Sequence, residues 1–204
     1  MARALQVDLS DRRDAGAVEV KVSGVVLAAG LSRRMGFPKA LLRWRNETYL
    51  DRMIRLFGAA CDDVVVVFRP GGEVEFNGQA RVVRNEDADR GQMSSLQTGL
   101  AMCEGAVLFS PVDYAHVEEA TVRKVVAARS PEFDVMQPIV GEAHGHPVLI
   151  ERVVVEALLA APVDGRARDV VRRFRRGFVA VDDVRATMDV DDPAAAAAVR
   201  ETLR

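Results

Sequence analysis

From residue 18 onward, short β-branched apolar runs alternate with segments whose apolar residues recur every three or four positions. The runs at 24–28, 64–68, 80–84, 106–109 and 134–137 read as strands, with weaker ones at 148–150 and 178–181. Most are unbroken rather than alternating, the pattern of strands covered on both faces. Between them, Leu50, Met53, Ile54, Phe57 and Cys61 fall on one helical stripe. Leu96, Leu100 and Cys103 mark a second helix, and Val122, Val125 and Val126 a third. Val154, Leu158 and Leu159 mark a fourth, and Val170, Val171 and Phe174 a fifth. A last helix is expected after Pro193, a residue suited to a first helical turn, with Asp192 as its cap.

Strands that alternate with helices predict a three-layer α/β/α sandwich around a mostly parallel, Rossmann-like sheet. Ligands of such sheets gather at the carboxyl ends of the strands, so the loops that follow strands hold the candidate chemistry. Residues 1–17 mix charges with small residues and show no period. They are expected to form a flexible leader before a single domain over 18–204.

Composition narrows the choice. A chain of 204 residues is long enough for one sizeable core, and 49% hydrophobic with 28% charged is ordinary for a globular protein. A net charge of −2 gives no reason to expect nucleic acid or an anionic membrane as partner. No apolar run approaches the roughly 20 residues of a membrane helix. The first residues are too polar and acidic for a secretory signal. Cys61 and Cys103 stand in no metal or redox spacing and read as small buried hydrophobes of a reducing compartment, which implies a cytoplasmic location.

The first strand runs into LAAGLSRRMGFPK. Ala28, Ala29 and Gly30 let a ligand approach the backbone, and exposed N–H groups in such a turn attract anions. Arg34 offers a planar fork to phosphate oxygens and Lys39 a point charge. Residues 24–46 hold Arg33, Arg34, Lys39, Arg43 and Arg45 and no acid, a local excess that suits a triphosphate. The glycine spacing is wrong for G-x-G-x-x-G, and no G-K-[ST] is present for a Walker A loop. Later loops add GQMSSLQTGL, where Ser94 or Ser95 either caps the second helix or meets a ligand's polar edge, with Asn85 nearby. In SPVDYAHV, Asp113 follows a buried strand and is the kind of hard oxygen donor that Mg²⁺ prefers. GEAHGHP places His144 and His146 close together, without the cysteine or third histidine that a zinc site requires. His116 has no evident partner and reads as structural.

LAAGLSRRMGFPK resembles the L-A-[AG]-G-x-S-x-R-M-G-x-x-K signature of the MobA-like nucleotidyltransferases. Its L-A-A-G start is nearest the molybdenum cofactor cytidylyltransferases. The resemblance covers residues 22–195 and implies the fold of the nucleotide-diphospho-sugar transferases. It also implies a Mg²⁺-dependent transfer of a nucleoside monophosphate, CTP being the favoured donor, to a small phosphorylated acceptor, molybdopterin first. By the same resemblance, Leu27, Ala28, Ala29, Gly30, Ser94 and Ser95 line the nucleotide, and Arg34 and Lys39 hold phosphates. Asp113 matches the metal-binding Asp of a D-x-P element, with Ala115 where proline is usual. The segment Asp189-Val190-Asp191-Asp192-Pro193 is similar to D-[IV]-[DN]-T-P, which makes Asp191, then Asp189, the second metal ligand. GEAHGHP is similar to a G-x-x-[RG]-G-H-P turn that faces the acceptor. His144, Gly145 and His146 are then acceptor contacts, His146 either positioning the acceptor or bracing the turn. Asp164 and Arg168 resemble a G-D-x-G-x-R stretch without its leading glycine. Open alternatives are guanylylation of the same cofactor, cytidylylation of another small phosphorylated acceptor, and a non-catalytic NTP-binding accessory protein for a molybdenum hydroxylase apoenzyme.

Overall fold

The computed structural model describes residues 21–32, 35–192, 194, 195 and 197. The expected leader, Arg33, Arg34 and most of the final helix lie outside them. Ten strands are present among the described residues: β1 (Val22–Leu27), β2 (Arg43–Trp44), β3 (Glu47–Thr48), β4 (Asp63–Phe68), β5 (Arg81–Arg84), β6 (Ala106–Pro111), β7 (Val135–Val140), β8 (Ala143–His144), β9 (Val148–Ile150) and β10 (Arg176–Ala180). The helices between them are α1 (Tyr49–Gly58), α2 (Gln92–Leu100), α3 (Glu119–Ala127), α4 (Arg152–Leu159) and α5 (Ala167–Val171). No helix among these residues is long and apolar enough to cross a membrane.

The main sheet has the order β10-β7-β9-β6-β1-β4-β5, with β8 paired to β7. All its neighbours are parallel except those of β9, which runs against both β6 and β7, and the short β7–β8 pair. The mostly parallel α/β sandwich expected from the alternation is therefore present. Every residue of β1 is buried, as unbroken apolar strands should be. The run at 80–84 behaves differently: β5 closes one edge of the sheet, and Val82 is exposed. Two elements gave no periodic signal. The β2–β3 hairpin and β8 hold two residues per strand, too few for any period to register.

Two apolar layers flank the sheet. On one face, Leu50, Met53, Ile54 and Phe57 of α1 and Val122 and Val125 of α3 pack on Val26, Val66 and Leu108. On the other, Leu96 and Leu100 of α2, Val154 and Leu158 of α4, and Val170 of α5 pack on Val25, Val67, Val107 and Ile150. Gly99 lets α2 lie close against this second face, because a Cβ there would stand 2.6 Å from Val25 Cγ1 and 2.9 Å from Val67 Cγ2. Thr48 caps α1 by accepting the Asp51 N–H at 3.1 Å. Asp192 accepts the Ala195 N–H at 2.8 Å, the contact expected of its cap role. Neither Ser94 nor Ser95 caps α2. Its N-cap position is Gly91, with no side-chain cap bond, and the serines lie inside the first turn.

Candidate active site

The carboxyl ends of β1, β4 and β6 open on a cleft of about 820 Å³. Leu27, Ala28, Ala29 and Gly30 line it, with Lys39 on one side and Gly91, Gln92 and Ser95 of the α2 start on the other. The loop after β1 is folded on itself. Met35 N–H donates to Ser32 O at 2.9 Å, and Lys39 N–H donates to Ser32 Oγ at 3.0 Å. These bonds turn the Lys39 side chain inward.

There the Lys39 ammonium donates to Asp113 Oδ2 at 3.1 Å and, at closer range, to Asp191 Oδ1. Residues 39, 113 and 191 come from three loops, and both carboxylates also line the cleft. Burial disfavours the charged Lys39, but its bond to Asp191 and the charge of Asp113 outweigh this and raise its pKa above the usual value. Asp113 is raised above the ordinary carboxylate value, mainly by burial and further by Asp191, with Lys39 acting in the opposite direction. Asp191 is the more open carboxylate, its side chain 48% exposed against 18% for Asp113. Asp189, the second choice for a metal ligand, is exposed and does not line the cleft.

Asp113 Oδ1 is buried with no hydrogen-bond partner. An orphaned carboxylate oxygen beside a second carboxylate, both already drawn to one cation, is a donor set that fits a hard divalent ion. No group of three or more His, Cys, Asp or Glu suited to a metal exists among the described residues. Two carboxylates suffice for Mg²⁺ where substrate phosphates complete its shell.

Several positions fall elsewhere. Ser95 reaches the cleft, but Ser94 does not; its hydroxyl lies 3.1 Å from both Asn85 Oδ1 and Asp87 O, two acceptors for its one proton. Buried Asn85 also donates to Ser95 Oγ at 3.0 Å, so it ties the α2 start to the end of β5. His144, Gly145, His146 and Arg168 do not line the cleft. His144 is exposed on β8, and Gly145 N–H donates to Pro138 O at 2.9 Å. The His146 ring lies 4.5 Å from that of Tyr114, and burial pushes its pKa down to about 4. Arg168 lies on α5 with a long 3.9 Å contact to Asp169. His116 is fully buried, with Nε2 2.6 Å from Met188 O, and burial likewise lowers it to about 4. This is the structural role expected of it.

Two arginines escaped notice in the sequence. Arg52 donates to the carbonyls of Ala115 and Val117 and to Glu47 Oε1. It thereby braces the turn that carries Asp113, where Ala115 stands in place of the usual proline. Arg69 follows β4 and lines the cleft, with Nη2 donating to Asp89 at 3.0 Å and Nη1 buried without a partner. Gly72 leaves room for its stem, since a Cβ there would stand 2.5 Å from Arg69 Cγ. A charge directly after a buried apolar run would have pointed to Arg69. Nothing in sequence points to Arg52, whose contacts lie 63 and 65 residues away.

The profile of the MobA-like NTP transferase domain matches residues 24–179. The chain belongs to this family. A probable molybdenum cofactor guanylyltransferase of Bacillus cytotoxicus is 27% identical to this MobA-like chain over 133 residues, 63% of the chain and 66% of that relative. The chain thus spans just under two thirds of that relative's length. Another from Geobacillus sp. is 26% identical over 176 residues, 80% of the chain and 88% of the relative. The crystal structure of Rv0371c from Mycobacterium tuberculosis superposes with a TM-score of 0.76 at 27% identity, over 89% of this chain and 98% of that one. Rv0371c is also known in complex with manganese. The curated relatives are named for guanylyl transfer, so the cytidylyl branch suggested by L-A-A-G finds no support in them. That suggestion rests on one methyl group, Ala29 in place of glycine.

Proposed function

We propose that this MobA-like chain is a divalent-metal-dependent nucleotidyltransferase that moves a nucleoside monophosphate from an NTP to a small phosphorylated acceptor, molybdopterin first, and releases pyrophosphate. The observation that carries this reading is the meeting of Lys39, Asp113 and Asp191 at one end of a cleft floored by the Ala28–Gly30 backbone.

The reaction is in-line. An acceptor phosphate oxygen bonds to the α-phosphorus, the bond to the β-phosphate bridging oxygen breaks, and pyrophosphate leaves with that electron pair. The acceptor oxygen is already ionised, so no strong general base is required. Positioning and charge neutralisation supply the rate. Ala28, Ala29 and Gly30 admit the triphosphate close to the backbone. Lys39, and by the family signature Arg34, meet its negative charge. Asp113 and Asp191 would hold Mg²⁺ or a similar ion, which when bound neutralises charge developing on the phosphates. The manganese known in Rv0371c suits the same pair of hard donors.

The names of the relatives favour GTP as donor. CTP is the second reading, carried by Ala29. The test is pyrophosphate release with Mg²⁺ and molybdopterin for GTP, CTP, ATP and UTP in turn. Release with one of the first two supports the reading and fixes the base. Tight NTP binding with no release from any pair overturns it in favour of an accessory NTP-binding protein.

A further inference from the structure

The chain has three lysines, Lys21, Lys39 and Lys124; the rest of its 28 lysines and arginines are arginine. A lysine in the cleft is thus the exception in a chain that uses arginine nearly everywhere. The two side chains differ in what they can do. A guanidinium grips a carboxylate with a rigid fork, whereas an ammonium is a point charge on a flexible stem and can change partners. The backbone of Lys39 is pinned: its N–H donates to Ser32 Oγ at 3.0 Å, and its carbonyl accepts the Leu42 N–H at 3.0 Å. Any movement therefore falls to the four-carbon stem. The side chain is only 13% exposed, so its charge has to be met by protein or ligand more than by water.

Nucleotidyl transfer makes two demands on this residue that cannot be met at once. Lys39 would face the triphosphate, yet its ammonium holds the carboxylates that suit the metal. Asp113 Oδ2 and Asp191 Oδ1 both accept from it. A dication drawn to oxygens that already hold an ammonium is repelled by it, and strongly so in a partly buried site. Asp113 Oδ1 meanwhile stays buried without a hydrogen-bond partner, so a single positive charge leaves the pair incompletely satisfied. A triphosphate on the Ala28–Gly30 backbone would be a second anion in the same cleft, which Lys39 also lines.

We propose that Lys39 is an exchangeable counter-ion. Before nucleotide binds, it neutralises Asp113 and Asp191. When the triphosphate arrives, the ammonium crosses to the phosphates and frees the carboxylate pair for the divalent ion that accompanies them. The exchange keeps two neighbouring carboxylates from facing each other uncompensated. It also couples the two ligands: NTP raises the affinity for the metal, and reciprocity requires the metal to raise the affinity for NTP by the same factor. The exchange rests on the nucleotidyl-transfer reading and adds to it an order of events, in which metal alone is a poor ligand and metal with NTP a good one.

Two measurements on the full chain test it. With lysine labelled in ¹⁵N, the three ammonium groups are few enough to follow singly, and Lys39→Arg identifies the signal of Lys39. Mg²⁺ alone at millimolar concentration is expected to leave that signal in place, and Mg²⁺ with GTP or CTP to shift it. A shift with Mg²⁺ alone, or none with Mg–NTP, overturns the exchange. The second measurement is Mn²⁺ binding by electron paramagnetic resonance, corrected for Mn²⁺ chelated by free nucleotide. In the native chain NTP should raise Mn²⁺ affinity by about 10-fold or more. Lys39→Met should bind Mn²⁺ about 10-fold tighter without nucleotide, and NTP should then add less than about threefold. Unchanged Mn²⁺ affinity in Lys39→Met overturns the proposal. So does tighter binding with the coupling to NTP intact, which would show only the loss of a nearby charge. Coupling without pyrophosphate release would sink the transfer reaction alone; release without coupling would sink the exchange alone.

Discussion

In the half of the sheet built from β5, β4, β1 and β6, neighbouring strands are parallel, and the loops after β1, β4 and β6 reach one cleft. In the half built from β9, β7 and β10, an antiparallel strand interrupts the series, and the polar groups lie along strand faces and on α5. The first half concentrates opposite charges at one point, where Lys39 meets Asp113 and Asp191. The second spreads like charges over a surface. A site that stabilises a changing charge requires the first arrangement; a surface that receives an anion unchanged is served by the second.

Substitutions in the first half are expected to act on rate, and those in the second to leave it nearly unchanged. The largest effect is expected of Asp113→Asn: turnover falls by at least about 10³, with thermal unfolding little changed, because burial opposes ionisation of this carboxylate. Near-normal turnover in the folded variant would end the mechanism. Arg34→Ala should slow transfer by about 10²–10³ with the acceptor KM kept, as steady-state kinetics would show. Arg52→Met should lower kcat by roughly 10- to 100-fold by freeing the turn around Asp113, and lower stability by about 1–3 kcal/mol through the stranded carbonyls of Ala115 and Val117. A stability loss with kcat intact would show that Arg52 braces the fold and not the site. The smallest effect on chemistry is expected of Gly99→Ala. Its Cβ meets Val25 and Val67, at a cost of about 1–3 kcal/mol in urea unfolding, with activity per folded molecule preserved.

The same division governs what could be read in the chain. The cleft half was legible because it follows chain order: a buried run ends, and the next few residues line the cleft, as with Leu27 to Gly30, Lys39 and Asp113. The last of these carboxylates, Asp191, was found through its motif, and only the fold brings it to Lys39, 152 residues away. Arg52 and Asn85 act through tertiary contacts that leave no local pattern. In the half built from β9, β7 and β10, β8 has two residues and β9 three, so register rather than periodicity decides which side chains meet. Ser94 and Ser95 suited a helix cap by residue type, but the helix begins at Gln92, ahead of both.

The reversed strand β9 sets the spacing across this part of the sheet. Strands lie about 4.8 Å apart, so one inserted between β6 and β7 sets their carboxyl ends about 10 Å from each other. Because β9 travels the other way, that gap is bridged by its own leading turn, His146–Pro147, rather than by an emerging loop. Arg176 stands one strand further on, on β10, so three spacings, about 14 Å, separate β6 from the strand that bears it.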